Sequence, residues 1–314
     1  MATVVVAEFM DEAALQRHLA DVDVAYDPTL VDRPDELARR LTEARGLIVR
    51  NRTQVRGALL DAAPQLEVVG RLGVGLDNID TAACAARGIT VHPATGANYL
   101  AVAEYVITSA LVLLRGAFFA RGEVAAGRWP RTRLMGREVA GKSLGLVGYG
   151  AIARETASRA LALGMTVRAH DPFVAANDPA WRLATGRVTP AGFADLLASS
   201  DVVSLHVPLT DATRGMIDAA ALARMKADAI LINAARGGVV DEAALAAALR
   251  DGRLGGAALD VFAREPLDAT GGARFADLDN VILTPHVAGV TVESNARVSD
   301  VTAAAVARHL RGER

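Results

Sequence analysis

Three polar residues stand directly after short apolar runs. Arg236 follows the run 230–235, Glu265 follows 259–264, and His286 follows 281–285. If those runs are parallel strands, all three residues fall at carboxyl ends, where open parallel sheets bind their ligands. An imidazole exchanges protons near neutral pH. A carboxylate beside an imidazole raises its pKa and fixes its tautomer. A guanidinium can grip a carboxylate with two parallel hydrogen bonds and polarise a neighbouring carbonyl. Such a set suits proton transfer at a hydroxyl or carbonyl carbon next to a carboxylate. Plainer readings exist for each residue. A histidine after a strand can be structural, Glu265 before Pro266 can be a loop residue, and Arg236 before Gly237 and Gly238 can sit on an exposed turn.

A second pattern reads strand, glycine turn, helix start over 143–153. Gly148 permits a tight turn, and Gly150 lets a pyrophosphate approach the backbone. Ala153 takes the third, small position, where helix and strand pack closely. The helix that follows offers N–H groups and its positive dipole end to phosphates. Alone, such glycines can serve only as a turn. The next apolar run, 165–170, ends at Asp171, 21 residues beyond Gly150. A carboxylate there accepts bonds from ribose hydroxyls and repels a 2′-phosphate, which favours NAD over NADP. Asp171 could also be a turn residue before Pro172.

These residues need a scaffold of alternating elements, and the chain supplies one. Strand-like runs are expected at 3–7, 46–50, 66–70, 143–147, 165–170, 201–205, 229–232, 256–261 and 281–283. Helical patterns lie between them, at 34–44, 98–114, 151–163, 242–250 and 292–310. This alternation predicts an α/β protein. The expected architecture is two Rossmann-like or flavodoxin-like parallel-sheet domains separated by a cleft. The expected division is a discontinuous substrate-binding domain, 1–94 plus 290–314, around an NAD-binding domain at 95–289.

The 314 residues suit about two domains. Hydrophobic residues make up 52% but aromatics only 4%, so the core must be built from Ala, Val and Leu. The formal charge is −2, without basic or acidic blocks, which argues against nucleic acid or anionic membrane as partners. A single cysteine, Cys84, rules out an intrachain disulfide and fits a reduced, cytoplasmic setting. The N-terminus begins with a strand-like run and reads as lacking a signal peptide. The apolar stretch 99–114 is shorter than a membrane span and is broken by Glu104, so a buried helix is expected. No metal site is expected.

Seven ordered segments, 70–80, 102–105, the glycine turn, 204–213, 225–242, 259–266 and 284–289, resemble the D-isomer-specific 2-hydroxyacid dehydrogenase family, including its phosphoglycerate dehydrogenases. The resemblance implies that Arg236 binds the substrate carboxylate, His286 is the acid/base and Glu265 pairs with His286. It implies that Asp260 and the Ala234 backbone hold the nicotinamide carboxamide. Ala151 and Ile152 would meet the pyrophosphate, and Asp171 the ribose. Pro208 and Thr213 would border the nucleotide, and Gly289 would lie in the cofactor site. Val74 and Gly75 would offer N–H groups to the substrate carboxylate. Ala153 departs from the family's usual glycine. The length is expected to leave out the regulatory domain of longer phosphoglycerate dehydrogenases. The resemblance also implies a homodimer, for which the apolar helix 99–114 and the arm 118–129 are suited.

Arg50 and Arg52 follow one first-domain run, and Arg71 follows another. Cations there could hold a second anionic group, phosphate or sulfonate, on a small 2-hydroxy or 2-oxo acid; solvated arginines or domain salt bridges are the alternative. Segments 49–55, 70–80 and 95–98 resemble the (S)-sulfolactate dehydrogenases of the family. Sulfur makes the sulfonate arm outrank the carboxylate, so the D-type arrangement is named S. A glyoxylate or hydroxypyruvate reductase and a non-catalytic NAD-sensing module are the competing readings.

Overall fold

A computed structural model describes residues 3–313. The chain divides into two compact units, Met1–Asn98 with Val290–Arg314, and Tyr99–Gly289. The first boundary falls where the helix Tyr99–Arg115 begins, slightly later than position 94.

Unit 1 is built on five parallel strands: β1 (Val4–Val6), β2 (Val24–Tyr26), β3 (Gly46–Val49), β4 (Val68–Arg71) and β5 (Thr90–Pro93). Their order is β2-β1-β3-β4-β5. This is the flavodoxin-like order, whose switch point lies between β1 and β3. Strands β1, β3 and β4 are buried along their whole length, as expected of a sheet covered on both faces. The last helix, Val292–Leu310, returns to this unit. It buries Val298, Ala303, Val306 and Ala307 with Val4, Val6, Ile48 and Val68. A capping box between Thr291 and Ser294 starts it.

Unit 2 holds β6 (Ser143–Val147), β7 (Thr166–His170), a short antiparallel pair β8 (Arg182–Leu183) and β9 (Gly186–Arg187), β10 (Thr189–Pro190), β11 (Val202–Leu205), β12 (Ile230–Asn233), β13 (Gly256–Leu259) and β14 (Val281–Leu283). Its parallel sheet runs β10-β7-β6-β11-β12-β13-β14. Counted within the unit, this contains the dinucleotide-binding order 3-2-1-4-5-6, with the reversal between β6 and β11. The apolar helix Tyr99–Arg115 packs here, with Val106, Ala110, Leu113 and Leu114 in the core beside Leu144, Ile230 and Ala258. Among the described residues no single helix is long and apolar enough to cross a membrane. The bent pair Tyr99–Arg115 and Ala117–Ala125 passes only on combined length and composition.

Candidate functional site

The glycine turn connects β6 to the helix Ala151–Ala162. Gly148 has φ +89, and a Cβ there would meet the His206 carbonyl oxygen at 2.5 Å, so only glycine fits between β6 and the end of β11. Around Gly150 the space is open: an added Cβ meets nothing within 4 Å. Gly150 caps the helix without a side-chain bond, so the first-turn N–H groups, those of Ala151 and Ile152 among them, have no side-chain cap. Asp171 follows β7, and its carboxylate accepts from Tyr149 N–H (2.8 Å) and Phe173 N–H (2.9 Å). The acid is thereby locked beside the turn. An uncapped helix end, a clear backbone approach and a carboxylate at the tip of the next strand together fit an adenine dinucleotide. Pro208 and Thr213 share the loop after β11, closed by a bond from the Thr213 hydroxyl to the Pro208 carbonyl (2.6 Å).

Arg236, Glu265 and His286 follow β12, β13 and β14, three neighbours in one sheet. Adjacent strands lie about 4.8 Å apart, which brings residues just beyond their ends within reach of one another. His286 Nδ1 lies 2.7 Å from Glu265 Oε2. Glu265 Oε1 accepts from Phe262 N–H at 3.0 Å. Burial opposes ionisation of Glu265. The His286 hydrogen bond and charge, the Phe262 N–H and the Arg236 charge outweigh it and hold the carboxyl below its ordinary value. A carboxylate only accepts, so the proton between the two groups sits on Nδ1, which assigns the basic lone pair to Nε2.

His286 has φ +56 and is the only described non-glycine residue in the left-handed region. That conformation costs about 1–3 kcal/mol and persists only where its surroundings impose it. Asp260 imposes it. Its carbonyl accepts from His286 N–H (2.8 Å). Its carboxylate accepts from Val287 N–H and Ala288 N–H, both at 2.8 Å, and from the Thr284 hydroxyl at 2.6 Å. Bonds to a charged group are worth about 1.5–3 kcal/mol each, enough to offset the strain. Asp260 is 1% exposed, and burial raises its carboxyl pKa against these bonds. Asp260, for which the resemblance implies a nicotinamide contact, also holds the turn that carries His286. Ala234 and Gly289 sit half-buried after β12 and β14, at the ends expected.

Three supporting residues escaped the sequence reading as such. Buried Asn233 accepts from Ala235 N–H (3.1 Å) and donates to the Arg236 carbonyl (2.9 Å), shaping the turn that carries Arg236. Tyr105 and Thr284 share a 2.7 Å hydrogen bond that ties the helix Tyr99–Arg115 to the segment before His286. The Tyr105–Thr284 bond joins residues 179 apart and leaves no local trace, whereas Asn233, three residues before Arg236, was a turn-shaping signal within reach of the sequence.

In unit 1, Arg50 and Arg71 are 7% and 9% exposed at the carboxyl ends of β3 and β4. The Arg50 guanidinium lies 3.8 Å from the Phe9 ring centroid, with Nε directed to the Phe9 carbonyl and Nη2 to Asn295 Oδ1 (2.5 Å). Burial pulls its pKa down to about 10, against the charge of Glu8. Arg71 Nη1 donates to the Leu72 carbonyl at 2.8 Å. Arg52 differs from both. Its side chain is half-exposed and ion-paired with Asp32, a salt bridge within unit 1. Val74 and Gly75 lie half-buried in the loop after β4. Thr53 Oγ1 and Asn98 Oδ1, beyond β3 and β5, are buried polar atoms with no hydrogen-bond partner. Among the described residues no cluster of His, Cys, Asp or Glu could hold a metal ion.

A glycine-turn sheet carrying an Arg, Glu and His set at successive strand ends defines a nucleotide-dependent oxidoreductase. The pattern of the D-isomer specific 2-hydroxyacid dehydrogenase NAD binding domain matches residues 107–288. The (S)-sulfolactate dehydrogenase of Chromohalobacter salexigens is 53% identical over 310 residues, covering 99% of both chains. D-3-phosphoglycerate dehydrogenase 2, chloroplastic, of Arabidopsis thaliana is 39% identical over 99% of this chain but only 49% of its own length; this chain spans about half of that relative. The crystal structure of D-lactate dehydrogenase from Aquifex aeolicus, complexed with NAD and lactic acid, superposes with a TM-score of 0.85 at 28% identity, covering 99% of this chain and 96% of that one. The chain belongs to the D-isomer specific 2-hydroxyacid dehydrogenase family, and its cofactor is NAD.

Proposed function

We propose that the chain oxidises a D-2-hydroxy acid bearing a second anionic group, and reduces the matching 2-oxo acid, with (S)-sulfolactate as the substrate. The 2.7 Å contact of His286 Nδ1 with Glu265 Oε2 carries the catalytic part. The likeness along the whole chain to a sulfolactate dehydrogenase supports the substrate. So does the presence of Arg50 and Arg71 at strand ends of unit 1.

NAD, when bound, would supply the hydride acceptor for C2 of the acid in oxidation and, reduced, the hydride donor in the reverse direction. Gly148, Gly150, Ala151 and Ile152 would hold its pyrophosphate and Asp171 its ribose. Pro208, Thr213, Ala234 and Gly289 would border it. His286 Nε2 takes the hydroxyl proton in oxidation, and the protonated ring gives it back in reduction. Glu265 keeps the ring in the required tautomer and stabilises its charged form. Arg236 binds the substrate carboxylate and draws electron density from the C2 oxygen. Asp260 holds the turn that carries His286 and, with the Ala234 backbone, would meet the nicotinamide carboxamide. The Val74 and Gly75 N–H groups would serve a substrate carboxylate, and Arg50, Arg52 and Arg71 a sulfonate.

A panel of (S)-sulfolactate, 3-phosphoglycerate, glycerate and lactate, compared by kcat/KM, tests the substrate. Sulfolactate is expected to lead. A lead for phosphoglycerate would reassign the second anion. Equal rates with glycerate and lactate, or a preference for glyoxylate in the reverse direction, would remove it.

The protein is further proposed to act as a cytoplasmic homodimer without nucleic-acid or membrane partners. Exposed Phe118, Phe119, Val124, Trp129 and Met135 cluster in one arm of unit 2 and support self-association, which equilibrium sedimentation would read. The small negative net charge and a buried lone cysteine support the rest.

A further inference from the structure

The order β2-β1-β3-β4-β5 leaves a crevice beyond the ends of β1 and β3, where a sheet of this order commonly takes its ligand. In unit 1 a side chain of the chain itself fills that place. Glu8 follows β1 and is 4% exposed. Its carboxylate gathers three backbone N–H groups from the loop after β3. Oε1 accepts from Arg50 (2.9 Å) and Thr53 (3.0 Å), and Oε2 accepts from Arg52 (3.2 Å). From the other side Asn78, 5% exposed, donates Nδ2 to the carbonyls of Thr53 (2.7 Å) and Arg50 (3.3 Å). Two buried side chains thus grip one short loop by its donors and its acceptors.

A buried carboxylate is costly unless it is fully hydrogen-bonded, and bonds to the charged form are the strong ones. Irregular backbone at a strand end also needs partners for its N–H groups. Both needs are met at once, and the result is a loop with little freedom. The side chains it launches are those of Arg50, Arg52 and Thr53, two cations and a hydroxyl. Arg50 is then directed onto Phe9 and Asn295 rather than into ion pairing with Glu8.

We infer that Glu8, with Asn78, is a positioning residue for anion recognition: it presets the 50–53 loop so that its side chains discriminate acids with a second anionic arm from acids without one. The inference rests on the substrate reading above. Glu8→Gln keeps size but aims an amide donor at one or more of the loop N–H groups, so at least one bond is lost. Removing a charge-assisted bond of this kind is worth about a tenfold effect or more. The ratio of kcat/KM for (S)-sulfolactate to kcat/KM for D-lactate is expected to fall at least about tenfold. Glu8→Asp, which keeps the charge, should recover part of that ratio. A role confined to folding would lower both substrates alike.

The experiment measures this ratio, together with melting temperature, for the wild type, Glu8→Gln, Glu8→Asp and Asn78→Ser. Should Glu8→Gln not fold, Asn78→Ser carries the test, with the same fall expected in smaller degree. A folded Glu8→Gln or Asn78→Ser protein with the wild-type ratio, or with equal losses on both acids, overturns the inference while the substrate reading stands. A wild type that does not prefer sulfolactate over lactate overturns the substrate reading, and the inference with it.

Discussion

In unit 2 the ionisable side chains at the carboxyl ends of the sheet engage one another: His286 with Glu265, and Arg236 near enough to lower the Glu265 pKa. In unit 1 the charged groups at the corresponding ends engage the backbone, with Glu8 on loop N–H groups, Arg50 on the Phe9 carbonyl and Arg71 on the Leu72 carbonyl. The first arrangement couples charges so that protons can move. The second fixes where the Arg50 and Arg71 cations stand. On the proposed function, chemistry and substrate choice belong to separate sheets built on the same parallel principle. A family of such proteins can change its acid by altering one unit and keep its reaction in the other.

Variants on the two sides should separate these roles. His286→Ala should cost the most, at least about 10²-fold in kcat on every acid tested, because a positioned acid/base is worth that much. Steady-state NADH formation reads it, and a loss confined to one acid would blur the division. Arg236→Lys should cost about tenfold or more in kcat/KM on all 2-hydroxy acids, since a point charge cannot reproduce a bidentate grip. An effect only on acids with a second anion would move Arg236 to the other side of the comparison.

Glu265→Gln should lower kcat by a smaller factor, about tenfold, and change stability in a pH-dependent way. The folded-state pKa of Glu265 is depressed, so its contribution is present above the ordinary glutamate range and lost as pH falls through the depressed value. The wild type should therefore melt above Glu265→Gln near neutrality, and the gap should close in acid. A gap that widens in acid would contradict the sign. The smallest effect belongs to Asp32→Asn. It releases Arg52 from a surface ion pair worth under about 1 kcal/mol, so the melting temperature should barely move. A large drop would show that Arg52 is held as firmly as Arg50.

The reading of strands from apolar runs succeeded where the runs are buried, as with β6 and β11, which fall within the runs 143–147 and 201–205, and it also found β14, which is half-exposed but apolar throughout. It missed β2, β5 and β10. Each is short, and none has a fully buried residue, so no apolar run marks them. The glycine turn and the Arg, Glu and His set were legible because each is a local pattern at a strand end. What holds them was not. Asp260 holds the His286 turn through Val287 and Ala288, 27 and 28 residues away. Glu8 meets its loop across 42 to 45 residues. Hydrogen bonds of that reach leave no periodic trace in a sequence. The arginines of unit 1 were found by type alone, and type could not distinguish buried Arg50 from surface-paired Arg52.

Deuterium placed at C2 of (S)-sulfolactate offers the most direct test of transfer at the His286 site. During oxidation by the wild type, one deuterium should appear in each reduced cofactor molecule formed, with His286→Ala forming product at least about 10²-fold more slowly. Label released to water, or undiminished turnover without the imidazole, would contradict the account.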